Sequence, residues 1–263
     1  MTRYQTRPYF SSSRSWASTM AQGGIFDTAG NSAFGNANRV YVKYCSSDLW
    51  AGALPASQAN PGGFAFMGSR IVSGVISALV ANHGLGAGHR LLFGGCSAGA
   101  IGAMHNLDAV STQLASTGVE VKGLLDAAAL VDIYPSGWAW SPDLLPLQTL
   151  VAELVALLKP TFPAVCAERG YTGENEWRCL FSAYRLPLLT TPFLRTPSSL
   201  TISRSSMRPT IWDPATSNSS TLWSPSNQPI LTSLHHCRLA AACTAPPVLS
   251  TVSPARIRTS SSL

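Results

Sequence analysis

Leu91-Leu92-Phe93-Gly94-Gly95-Cys96-Ser97-Ala98-Gly99-Ala100 holds the residues best suited to chemistry. An apolar run passes straight into Gly-x-Ser-x-Gly, and a small-residue stretch follows. This is the pattern of a nucleophile elbow, in which a sharp strand-to-helix turn lifts a serine hydroxyl clear of a sheet. Ser97 is the candidate nucleophile. The backbone N–H of Ala98, the next residue, is the candidate oxyanion donor. Gly95, Ala98 and Gly99 suit a crowded turn, where larger side chains would strike the adjoining strand and helix. The competing reading of the same letters is a glycine-rich turn with a buried serine.

A serine hydroxyl needs a base, usually histidine, held by a carboxylate. His83 and His89 precede the elbow, on the wrong side for the order serine, acid, histidine of α/β-hydrolases. His105 lies eight residues into the following helix, about 12 Å along it, and points away from the hydroxyl. These three read as solvated or structural. Only His235 and His236 come late enough, and they sit in a stretch of unusual composition.

The elements that would position Ser97 follow from the apolar pattern. Residues 39–45 alternate and are rich in β-formers, which predicts a strand. Residues 66–81 have the period of an amphipathic helix, ended by Gly84-Leu85-Gly86. A buried strand over 89–93 feeds the elbow. A helix from Ala98 to about Ser116 stops at Gly118, and a strand over 119–125 and a helix over 142–158 come next. Alternating strands and helices predict an α/β fold with a parallel sheet and crossover helices. Ser97 then falls at the carboxyl end of a strand, where such sheets place their chemistry.

Composition narrows the function classes. At 263 residues the chain can bury a large core. Net charge is +6, but the basic residues are scattered and mostly arginine, with no basic block or nucleic-acid motif. The run 71–81 is too short to span a bilayer, and 144–158 is broken by Pro146, Gln148 and Glu153. Met1-Thr2-Arg3-Tyr4-Gln5 lacks the apolar core of a signal peptide. None of the six cysteines has CxxC spacing, so no zinc site is expected. Cys166 and Cys179 flank a polar segment and read equally as a disulfide or as two buried thiols. No other metal or cofactor is implied, and nothing sets an oligomeric state.

The chain changes character near Arg195. Residues 196–263 contain no Gly, Phe, Tyr, Lys or Glu, and Ser, Thr and Pro make up about half of them. Average usage would put roughly five glycines there. The expected organisation is therefore a partial esterase-like domain over 1–195 and an anomalous Ser/Thr/Pro-rich tail over 196–263, disordered or read out of frame.

Several stretches together resemble the pectin acetylesterase family, in particular its Notum-like carboxylesterase branch. Gly23-Gly24-Ile25 resembles a Gly-Gly-Ile stretch of the family. Tyr44-Cys45-Ser46-Ser47-Asp48-Leu49-Trp50-Ala51-Gly52 is very similar to its YCSSDxWxG motif. Gly95-Cys96-Ser97-Ala98-Gly99 with Asn106-Leu107-Asp108 resembles GxSAGG…NxD, and Gly123-Leu124-Leu125-Asp126 resembles the strand that follows. Cys166 and Cys179 resemble the family's cysteine pair, and Tyr184 through Leu194 its Tyr…Thr-Pro strand. These pieces, in the right order, cover about residues 3–195.

The resemblance implies an α/β-hydrolase-like parallel sheet with helices on both faces, here incomplete. It also implies a secreted serine esterase that deacetylates pectin or deacylates a protein, with Ser97 as nucleophile, Ala98 as oxyanion donor and Cys166–Cys179 as a disulfide. Asp48 and Trp50 become a candidate pocket wall, although Asp48 reads equally as a structural carboxylate bonded to its own turn. Asp126 and Asp132 read as structural.

The departures concern the partners of Ser97. Ala100 stands where the family has a second glycine. The Gly-Gly-Gly-Trp-Cys stretch that helps form the oxyanion hole does not occur. After Leu194 the family continues with a Gln-(Phe/Tyr)-Asp stretch carrying the acid and later a Ser-His stretch carrying the base. Here the chain reads Arg195-Thr196-Pro197-Ser198-Ser199-Leu200. Codons for those six residues, shifted by one base, can encode His-Pro-Gln-Phe, so a frame change near residue 195 is the expected cause. Reading the transcript across residues 190–200 in three frames tests it. The expectation is an esterase by lineage with an acyl-enzyme mechanism and little turnover, the alternative being a catalytically dead fragment or binding module.

Overall fold

The computed structural model describes residues 12–14, 16–19, 23–26, 34, 36–57, 60–128 and 147–196, and the backbones of three later strands. The strands are β1 (Ala37–Tyr41), β2 (Arg90–Cys96), β3 (Glu120–Asp126), β4 (Phe193–Thr196), β5 (Thr210–Asp213), β6 (Asn218–Ser220) and β7 (Val248–Val252). The helices are α1 (Gly68–His83), α2 (Ala98–Leu114), α3 (Leu147–Leu158), α4 (Ala164–Glu168) and α5 (Ser182–Arg185).

The centre of the sheet is parallel. β2 pairs with β3 from Arg90↔Glu120 to Cys96↔Asp126, and β3 with β4 from Gly123↔Phe193 to Asp126↔Thr196. The β2-α2-β3 unit is the crossover that the alternating pattern predicts. The flanks are antiparallel. β7 lies between β1 and β2, and β5 and β6 extend the other edge, giving the order β1-β7-β2-β3-β4-β5-β6.

Each element buries the residues its period selects. α1 turns Val72, Ile76 and Leu79 inward, at helical spacing. It ends where Gly84 takes a left-handed conformation (φ 72°) and its N–H returns to the Leu79 carbonyl. β3 buries Val121, Gly123 and Leu125 in strict alternation. α2 is different, because Gly99 through Leu107 are all buried. It is therefore an interior helix, which suits its run of Ala, Gly, Ile, Met and Leu. Met104, Leu107 and Leu114 join Leu91, Phe93 and Leu125 in the main core.

Several boundaries differ from expectation, with α1 at Gly68–His83 rather than 66–81 and β2 at Arg90–Cys96 rather than 89–93. The first strand ends at Tyr41 rather than Cys45, because residues 44–50 form a tight turn with Ser47, Leu49 and Trp50 at φ 52°, 55° and 61°. The helix expected over 142–158 is described from Leu147, and its first residues lie outside the described ones. Cys166 and Cys179 are joined as a disulfide with Cα atoms 6.1 Å apart, and both are buried. Among the described residues no helix is long and apolar enough to cross a membrane.

Candidate active site

The turn between β2 and α2 is built around Ser97. Its backbone sits at φ 54° and ψ −119°, outside the regions that residues with a Cβ ordinarily occupy. Such strain persists only where the surroundings over-determine it. Here the Ser97 N–H donates to the Asp126 carbonyl at 2.9 Å, tying the turn to the end of β3. The Ser97 carbonyl accepts from the N–H groups of Ala100 (2.9 Å) and Ile101 (3.1 Å), which starts α2. Gly95 lets the helix start lie against the strand: a Cβ there would strike the carbonyl of Gly99, and Ala100 N at 2.9 Å. Ser97 is half-buried, and among the described residues its hydroxyl has no hydrogen-bond partner.

Ala98 is the first residue of α2, where backbone N–H groups have no partner within the helix. Its N–H and the positive end of the helix dipole lie at the Ser97 turn.

Asp48 and Trp50 belong to a loop that packs on α2. Asp48 has no exposed surface. Its carboxylate accepts from the Ser46 hydroxyl, from Trp50 N–H at 3.0 Å and from Gly68 N–H at 2.6 Å. A Cβ on Gly52 would come within 2.6 Å of that carboxylate, and one on Gly68 would strike it too. Burial raises the Asp48 carboxyl above its ordinary value, opposed by the bonds from Ser46, Gly68 and Trp50. Trp50, also buried, packs against Tyr44 with ring centroids 5.2 Å apart. A Cβ on Gly102 would come within 2.7 Å of Trp50 Cδ1, so α2 touches this loop directly.

Asp108, Asp126 and His89 have other hydrogen-bond partners. Asp108 binds Arg185 Nη2 at 3.1 Å and the N–H groups of Thr190 and Thr191 at 3.1 and 2.9 Å. Asp126 accepts from the Thr196 hydroxyl. His105 is buried with its ring edge-on to Phe162, centroids 5.5 Å apart. Burial, and then the Arg185 charge, lower its pKa to about 4. His83 is exposed at the end of α1, and His89 Nδ1 meets the Gly86 backbone. Asp132, His235 and His236 lie outside the described residues. Among the described residues no cluster of His, Cys, Asp or Glu could hold a metal ion.

Sequence reasoning missed Arg185, which is 1% exposed and holds Asp108 across 77 residues of sequence. The Tyr184-Arg185 pair carried no spacing signal. Only the acidic Asp108, on the interior face of a helix, hinted at a buried cation.

The chain is similar to known proteins over most of its length. The family described as Pectinacetylesterase matches residues 1–222, past the change of composition. Palmitoleoyl-protein carboxylesterase notum1' of Xenopus laevis is 33% identical over 206 residues, covering 72% of this chain and 40% of its own length. Palmitoleoyl-protein carboxylesterase NOTUM of Homo sapiens is 33% identical over 197 residues, covering 72% and 39%. The solved structure of the Wnt deacylase Notum from Drosophila superposes with a TM-score of 0.67 at 28% identity, over 74% of this chain and 57% of that one. The chain thus spans about 40% of the length of the first two relatives.

Proposed function

Because the chain belongs to the pectinacetylesterase family, we propose that it is a carboxylic-ester hydrolase of the pectin acetylesterase/Notum type with Ser97 as its nucleophile. The observation that carries this reading is the strained Ser97 backbone at the carboxyl end of a central parallel strand. In the proposed reaction Ser97 Oγ attacks the ester carbonyl, and the Ala98 N–H receives the developing oxyanion. The alcohol leaves, and water then cleaves the acyl-enzyme. The substrate is an acylated protein or an acetylated polysaccharide. The names of the relatives favour the former, and the family's name favours the latter. The Cys166–Cys179 disulfide supports secretion, since such bonds persist in oxidising compartments.

A second reading rests on a different observation. Asp48, Asp108 and Asp126 are held by other hydrogen bonds and His105 is buried against Phe162, so none of these four side chains is bonded to the Ser97 hydroxyl. On this reading the chain keeps the elbow and has lost turnover, as loss of both partners costs on the order of 10⁶ in rate. Turnover of p-nitrophenyl acetate and p-nitrophenyl octanoate by the full chain, with Ser97→Ala as control, decides between the two. Ser97-dependent hydrolysis supports the esterase, and its chain-length preference separates the two substrate classes. Rates equal to those of Ser97→Ala support the inactive reading.

A further inference from the structure

We propose that Thr196 and Ser182 are positioning residues for Ser97 that act through the exit of β3, and their effect on turnover rests on the esterase reading above. β2, β3 and β4 run parallel, and the register places Cys96, Asp126 and Thr196 side by side at their carboxyl ends. The chain then leaves two of these strands in a similar way. Ser97 follows β2 with φ 54°, and Ala127 follows β3 with φ 53°. Neither is glycine, so both conformations are costly and persist only where the surroundings hold them.

One planar peptide joins the two exits. Its oxygen, the Asp126 carbonyl, accepts from Ser97 N–H at 2.9 Å, and its N–H, that of Ala127, donates to the Thr196 carbonyl at 3.3 Å. The two groups point in opposite directions across a trans peptide, so a tilt of one end tilts the other. The direction in which the backbone of Ser97 is held therefore depends on how that peptide is fixed.

Side chains fix it from both flanks. The Thr196 hydroxyl donates to the Asp126 carboxylate. The Ser182 hydroxyl, at the start of α5, donates to the carbonyl of Ala128. Ser182 is 2% exposed and Ala128 1%, so water is no ready substitute for that bond. Asp126 and Ala128 are the two neighbours of Ala127, and each is pinned to a different element, β4 and α5. A hydroxyl engaged in this way takes no part in the reaction itself. It acts by holding Ser97 Oγ at attack distance, where an error of about 1 Å costs roughly 100-fold in rate.

The test is amide hydrogen exchange of the full chain, followed by NMR, in the parent and in Ser182→Ala, Thr196→Val and Thr196→Ser. In Ser182→Ala and Thr196→Val the Ser97 amide should exchange about tenfold faster or more, while the amides of Leu91 and Leu92, toward the other end of β2, change less than about twofold. Thr196→Ser keeps the hydroxyl and should return Ser97 to the parent rate. In hydrolysis of p-nitrophenyl acetate the first two variants should lose about tenfold or more in kcat, with KM within about twofold of the parent. Either of them suffices should the other not fold. Exchange needs no turnover, so a parent without activity overturns the esterase reading and leaves exchange to decide the positioning role. A Ser97 amide unchanged in both variants overturns the proposal. Equal acceleration along the whole of β2, which would mark the two hydroxyls as general stabilisers, overturns it too, as does an unchanged kcat in an active enzyme.

Discussion

The side-chain amide of Asn106 donates to the carbonyl of Trp50 at 2.8 Å, across 56 residues of sequence. The same nitrogen reaches the Gly102 carbonyl at 2.8 Å, one turn earlier in α2. The two motif-rich stretches of the chain are therefore one physical object. The 44–52 loop, held by Asp48, is bolted to α2, the helix that begins just after Ser97. The Ser97 turn therefore leads into a helix that this loop braces through Asn106.

Asn106→Ala removes the bolt and leaves the buried Trp50 carbonyl without that donor. The expected loss is about 1–3 kcal/mol of stability. Asn106→Asp should cost more, because a carboxylate would face two carbonyl oxygens. Urea unfolding measures both, and a midpoint unchanged in Asn106→Ala would show that the brace is idle.

Two glycines should respond with opposite signs. Gly95→Ala puts a methyl into the carbonyl of Gly99 at the start of α2, with no flexible side chain to yield. A loss of about 1–3 kcal/mol or more is expected, with displacement of the elbow. Gly74, in the middle of α1, has nothing within 4 Å of the point where a methyl would stand. Gly74→Ala should stabilise by about 0.5–1 kcal/mol, through helix propensity alone. Thermal melts of the pair are the measurement, and a destabilised Gly74→Ala would contradict the packing described for α1.

The elbow was legible in the sequence because it is local. Apolar strand, glycine, serine, glycine and small-residue helix occur within about a dozen residues, and each letter answers a steric demand of the turn. The α1 and β3 periods were legible for the same reason. The brace was not, since Asp48 reaches Gly68 across 20 residues and Asn106 reaches Trp50 across 56. Nor was the place of β7, whose Val248–Val252 backbone enters between β1 and β2 from a stretch with no strand-like surroundings in sequence. Arg185 looked like one of many scattered basic residues until the fold buried it.

The Asp108–Arg185 pair supplies a third prediction. Arg185 is almost wholly buried, and Asp108 is the acid that meets its charge. Asp108→Ala strands that charge and removes the acceptor for Thr190 and Thr191, so about 3–5 kcal/mol should be lost. Asp108→Asn keeps an acceptor oxygen and should cost less. Denaturant midpoints of the two variants give the comparison, and equal losses would mean that the charge of Asp108 is irrelevant.

His105 makes the protein acid-sensitive. Its folded value of about 4 lies below the ordinary 6.5, first because it is buried and second because Arg185 is near. As pH falls below 6.5 the unfolded chain takes up a proton that the folded chain refuses until about 4. Stability from this residue is therefore complete above 6.5 and declines down to about 4. At about 1.4 kcal/mol per pH unit the decline amounts to about 3 kcal/mol. His105→Leu keeps an apolar group against Phe162 and has no proton to gain, so its stability should fall less between about pH 7 and about pH 4.5 than that of the parent. Unfolding free energies at the two pH values are the readout. Parallel losses in parent and variant would place the acid sensitivity in other groups.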